Sequence, residues 1–159
     1  MEKVTVAAVQ ATPEFLDRDA TVQKVVRLTK EAAGMGARLI VFPETFIPTY
    51  PDWVWRTAAW DGPFEALTAR LREESVEVPS AATMELGKAA KRAKAYVSVG
   101  VNELDGDTIY NAQLLFGPDG EIVGKHRKLM PTGGERLVWG LGDGSTSTPS
   151  RRRSVAWAG

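Results

Sequence analysis

Arg38-Leu39-Ile40-Val41-Phe42-Pro43-Glu44 is the stretch on which the fold turns. Leu39 to Phe42 is a short apolar run with β-branched Ile40 and Val41, and Pro43 closes it, because proline cannot donate to a central ladder. Immediately before it, Gly34 and Gly36 mark the end of a helix. Val22, Val25, Val26, Thr29, Ala32 and Ala33 recur at the spacing of one helical face, so the helix runs to about Ala33, with Asp17 or Asp19 as its cap. Further out, Val4 to Val9 is almost continuously apolar and reads as a strand buried on both faces, ended by Gln10-Ala11-Thr12-Pro13. The order β-α-β predicts a parallel pair joined by a helical crossover. Open parallel sheets hold their ligands at the carboxyl ends of strands, and Glu44 stands at such an end.

Toward the C-terminus, Thr45 to Pro63 carries Pro48, Pro51 and Pro63 among Phe46, Tyr50, Trp53, Trp55 and Trp60 without a clear period. Such a loop is either a pocket wall beside Glu44 or aromatic cover for the core. Helices are expected from Phe64 to about Glu73 and from Ser80 to about Ala93. Strands are expected at Tyr96–Val101, Thr108–Phe116 and Glu121–Lys125, with a polar turn at Asn102–Asp107 and a tight one at Gly117-Pro118-Asp119-Gly120. The fold class is therefore α/β, with crossovers first and antiparallel pairing last. From Gly142 to Ser150 the chain becomes small and polar, followed by Arg151-Arg152-Arg153, the composition of a disordered tail.

At 159 residues this is one domain's worth of chain, 43% hydrophobic, large enough to bury a core without staples. There is no Cys, which excludes disulfides, thiolate metal sites and a thiol nucleophile within this sequence. A single His cannot build a multi-histidine metal centre. Twenty Lys and Arg balance twenty Asp and Glu, so no net field favours nucleic acid or an anionic membrane. No run is long enough to span a bilayer and the N-terminus lacks a signal-peptide pattern, so a cytoplasmic protein with no membrane partner is the expectation.

Three places carry potential chemistry. Glu44, behind a buried strand and beside the aromatic loop, sits where desolvation suits a general acid or base, although a solvated or capping carboxylate is the ordinary alternative. Lys125-His126-Arg127-Lys128 is a solvated basic turn or, because extended residues alternate, a segment sending His126 and Lys128 to one face and Lys125 and Arg127 to the other. A lysine turned inward needs a carboxylate partner. Glu135, seven residues after Lys128, follows Gly133-Gly134, which permit a turn that returns it toward Lys128.

Phe42-Pro43-Glu44-Thr45-Phe46, Lys125 through Thr132, Glu135 through Gly140 and Gly142-Asp143-Gly144-Ser145 together resemble the carbon–nitrogen hydrolase superfamily, specifically its nitrilase branch. The opening Val6-Ala7-Ala8-Val9-Gln10-Ala11 resembles that family's first strand, and the likeness covers about residues 4 to 146. The resemblance implies an α-β-β-α sandwich, present here as its N-terminal half, and a Glu-Lys-Cys catalytic set. Matched by motif, Glu44 is the general base, Lys128 the stabilising cation and Glu135 the supporting glutamate. The implied substrate is a small-molecule nitrile, hydrolysed through a Cys thioimidate to a carboxylic acid and ammonia. No cofactor or metal is implied, and the intact protein is implied to be a homo-oligomer. Tyr50, Trp53 and Trp55 are the candidate substrate-pocket residues.

The family's nucleophilic Cys, in a Cys-Trp-Glu motif some tens of residues after the lysine, has no counterpart here. The expected division is residues 1–146 as the N-terminal part of the hydrolase domain and 147–159 as a divergent tail. Codons permitted for Arg153 to Ala158 can spell Val-Gly-Gly-Leu-Gly in another frame, which suggests a frame lost near residues 146–150. On this reading the chain is inactive alone. The alternatives are a non-catalytic partner subunit associating with a full-length homologue, and a basic-tail module touching nucleic acid through Lys125–Lys128 and Arg151–Arg153. Exposed sheet edges and apolar faces predict aggregation or dimerisation of a half-domain.

Overall fold

The computed structural model describes residues 3–147. Its centre is a five-stranded sheet whose strands lie side by side in chain order: β1 (Val6–Ala8), β2 (Leu39–Val41), β3 (Tyr96–Asp105), β4 (Thr108–Phe116) and β5 (Ile122–Arg127). β1, β2 and β3 are parallel, while β3–β4 and β4–β5 are antiparallel. The β1–β2 crossover is α1 (Arg18–Gly34), and the β2–β3 crossover carries α2 (Gly62–Glu73) and α3 (Ala81–Ala93). Asp17 caps α1 by accepting from the Ala20 N–H, and Ser80 caps α3 by accepting from the Thr83 N–H.

One face of the sheet is packed by α1 and α3. Val22, Val25 and Ala32 from α1 and Leu86 and Ala90 from α3 meet Ile40, Val97, Val99, Val101, Leu114 and Phe116. These strand residues alternate with Ser98, Gly100 and Asn102, which therefore point to the other face. At the far end of the β3–β4 hairpin, Leu16, Trp53, Phe64, Leu71, Ile109 and Trp139 form a second core. The described residues thus form a single mixed sheet with α1 and α3 layered on one of its faces. No described helix is long and apolar enough to cross a membrane.

Three expectations change. The first strand is shorter than Val4–Val9 and is not buried on both faces: Val6 is 54% exposed, because nothing among the described residues pairs with the outer edge of β1. The strand expected to stop at Val101 runs to Asp105, and the turn contracts to Gly106-Asp107. Its extra polar residues, Asn102 and Glu103, are buried and partnered rather than turned to water. The last strand likewise runs to Arg127 rather than Lys125. The expected tail from 147 onward lies, except for Ser147, outside the described residues.

Candidate active site

Glu44 is placed by backbone. After β2, the Phe42 N–H donates to Ser98 O and the Ile47 N–H to Gly100 O, so Pro43-Glu44-Thr45 crosses directly over β3. A Cβ on Gly100 would lie 2.3 Å from Pro43 O and 2.4 Å from Thr45 N, so only glycine lets the segment lie this close. Lys128 is placed by its own N–H, which donates to Asn111 O just past the end of β5. Glu135 sits in a 3-10 turn, Gly133–Leu137, where its carboxylate accepts from the Thr132 N–H at 2.6 Å.

These three segments converge. The Lys128 ammonium donates to Glu44 Oε1 at 2.9 Å and lies 3.1 and 2.9 Å from the two Glu135 oxygens. Asn111 Nδ2 donates to the same Glu44 Oε1 at 2.6 Å, which leaves Oε2 without a hydrogen-bond partner among the described residues. The Tyr50 hydroxyl donates to Glu135 Oε1 at 2.9 Å, and the Trp55 indole N–H donates to the Tyr50 oxygen at 3.0 Å. The Trp139 ring lies 5.6 Å from the Lys128 ammonium and edge-on to Tyr50. Its N–H donates to Asn102, whose amide in turn donates to Thr49 O and Ile47 O. Asn102 thereby ties the segment after Glu44 to the segment after Glu135.

The charges are set by these contacts. Burial works against the Lys128 ammonium, but its hydrogen bonds to Glu135 and Glu44 outweigh this and hold its pKa above the ordinary lysine value. Burial likewise works against the Glu135 carboxylate, but the Thr132 N–H, Lys128 and Tyr50 outweigh it and keep the group below the ordinary range. Glu135 is buried, whereas the Glu44 side chain is 51% exposed. The desolvation expected of Glu44 is therefore not supplied by the described residues. Among the described residues no three His, Asp or Glu side chains gather as metal ligands.

Glu44, Lys128 and Glu135 come together as a unit. Tyr50 and Trp55 join them through Glu135. Trp53 does not: it is 5% exposed, lies in the second core and gives its N–H to Thr68, because the 3-10 turn at Asp52–Trp55 sends alternate aromatics in opposite directions. The basic run splits as alternation predicted. Lys125 and Arg127 both reach Glu103, Lys128 reaches the other face, and His126 is exposed. Sequence reading missed Asn111, Asn102 and Glu103; the signal was a polar residue at an inward-facing position of an otherwise apolar strand.

The chain belongs to the carbon–nitrogen hydrolase family, whose family model matches residues 5–152. Among curated proteins it is 49% identical over 143 residues to a nitrilase of Bacillus sp. (strain OxB-1), covering 90% of this chain and 41% of the relative. It is 46% identical over 153 residues to an aliphatic nitrilase of Sinorhizobium fredii (strain HH103), covering 92% and 48% respectively. The chain thus spans slightly under half the length of these relatives. Its fold matches that of the amidase from Nesterenkonia sp. AN1, with a TM-score of 0.64 at 18% identity over 87% of this chain and 48% of the other. One structure of that amidase carries acrylamide added to its active-site cysteine.

Proposed function

We propose that this chain contributes the Glu44, Lys128 and Glu135 part of a nitrilase site that converts a small nitrile to a carboxylic acid and ammonia, with the cysteine thiol supplied by sequence outside it. The observation that carries the reading is the Lys128 ammonium held between two carboxylates that lie 84 and 7 residues away in the chain. A surface ion pair would not need three separately anchored backbone segments to form.

In this reading Glu44 Oε2 takes the thiol proton as the sulfur attacks the nitrile carbon, then delivers it to the nitrile nitrogen, giving a neutral thioimidate. Glu44 next takes a proton from water as the oxygen adds to that carbon. Lys128 faces the negative charge that develops in the tetrahedral species. The proton held by Glu44 and the one left on the added oxygen both pass to the nitrogen, which leaves as ammonia and gives a thioester, and a second water, activated in the same way, frees the acid and restores the thiol. Glu135 keeps Lys128 protonated and in position throughout.

The test grafts residues 1–145 in place of the matched segment of the Bacillus nitrilase, which supplies the remaining half. The graft is expected to release ammonia from nitriles, and Glu44→Gln to lower kcat by at least about 100-fold. A Glu44→Gln graft retaining its kcat overturns the assignment. The chain by itself is expected to give no turnover with aryl or aliphatic nitriles.

A further inference from the structure

The aromatic loop reaches the site through Tyr50 itself, through the Val54 carbonyl oxygen against Gly134, and through Trp55, which makes two contacts of its own. Its indole N–H can only donate, so at 3.0 Å from the Tyr50 oxygen it occupies a lone pair of that hydroxyl, and the Tyr50 proton is left for Glu135 Oε1. Its ring lies against Gly133 and Gly134, where a Cβ would come within 3.0 and 3.3 Å of Trp55 carbons. Gly133 has φ +53°, so the turn that carries Glu135 is glycine-built on the surface that Trp55 covers. The other side of the indole remains open, with Trp55 half exposed.

We propose that Trp55 is a positioning residue: it orients the Tyr50 hydroxyl through its N–H and seats the Gly133–Gly134 turn through its ring, and so delivers Glu135 to Lys128. The role of that delivery in catalysis rests on the proposed function; the physical coupling of Trp55 to Tyr50 does not. Chains of donors strengthen one another, so a hydroxyl that accepts from Trp55 is a better donor to Glu135. Burial raises the Tyr50 phenol above its ordinary value and the Glu135 and Glu44 charges add to this, while the Trp55 N–H acts in the opposite direction.

Two experiments test this. In the chain itself, tyrosine ionisation is followed by absorbance against pH, with Tyr50 assigned by the difference from Tyr50→Phe. Trp55→Phe keeps a ring on the turn and removes the N–H; it is expected to raise the Tyr50 midpoint by roughly half a pH unit. An unmoved midpoint in a variant with native circular dichroism overturns the proposal. In the nitrilase graft, Trp55→Phe is expected to lower kcat about three- to tenfold at constant KM. A change confined to KM overturns the positioning role, since it would make Trp55 a substrate wall. If Glu44→Gln leaves the graft active, the proposed function fails, and the Tyr50 titration still decides whether Trp55 holds the hydroxyl.

Discussion

Glu103 offers a direct test of how the last strand is held. Its side chain is 2% exposed and accepts three charge-assisted hydrogen bonds: from Lys125 Nζ at 2.6 Å, Arg127 Nε at 2.7 Å and Arg127 Nη2 at 2.8 Å. Glu103→Gln keeps the shape and one acceptor but removes the charge. Bonds of this kind contribute about 1.5–3 kcal/mol each, and removing one partner of a buried pair costs about 3–5 kcal/mol. The lower end applies, because Arg127 keeps Asp105 at 2.7 Å and the Tyr110 ring at 3.9 Å, and the Lys125 side chain is 27% exposed and can turn to water. The expected loss is about 3 kcal/mol. For a chain of this size that lowers Tm by about 6–12 °C in calorimetry. The pH dependence gives a second reading. Burial pushes the Glu103 carboxyl up, but Arg127 and Lys125 outweigh it, so its folded pKa lies below the ordinary 4.5. Its contribution is complete above pH 4.5 and is lost as pH falls below it, so the difference in stability between the parent and Glu103→Gln should shrink on acidification. A loss under about 1 kcal/mol, or a difference that does not change between pH 6 and pH 3, would refute the account of a buried carboxylate stabilised by its cations.

Five further outcomes are expected, from four variants. Gly100→Ala places a Cβ against Pro43 O, Thr45 N and the Glu44 carbonyl carbon, none of which can swing aside, so denaturant titration should show a loss of about 3 kcal/mol. Lys128→Met should raise the Glu135 carboxyl midpoint in an NMR titration, since Lys128 is among the groups that lower it. The same variant should lose an alkaline stability slope: Lys128 titrates above its ordinary 10.5 when folded, so its contribution is complete below pH 10.5 and disappears as pH rises beyond it. Trp53→Ala should cost about 3–5 kcal/mol as a core deletion. Trp60→Ala, at a side chain 82% exposed, should stay within about 0.5 kcal/mol by chemical denaturation.

What the sequence revealed depended on whether a residue's partner was near in period or far in space. The helical face of α1, the Pro43 stop and the hairpin at Gly117–Gly120 are local, and each is where the pattern put it. Glu103 and Asn102 read as turn because they are polar, yet their partners, Lys125, Arg127, Trp139 and Thr49, lie 22 to 53 residues away. Alternation along Lys125-His126-Arg127-Lys128 did foretell the two faces, although it could not name Glu103 as the anchor of one of them. The aromatic loop was legible as important but not residue by residue. Trp53 and Trp55 stand two apart on a single 3-10 turn, and one enters the core while the other reaches Tyr50.

Because the strands stand across the sheet in the order in which they occur along the chain, each new strand finds its neighbour already made. On a ribosome the sheet can therefore grow outward from β1 without waiting for anything synthesised later. The carboxylate of Glu44, by contrast, is 84 residues ahead of the lysine that meets it. At about 5–20 residues per second, that carboxylate is translated about 4–17 s before its cation. Through that interval β1 to β4 can assemble while Glu44 is still without Lys128, which then arrives with Glu135 seven residues behind it.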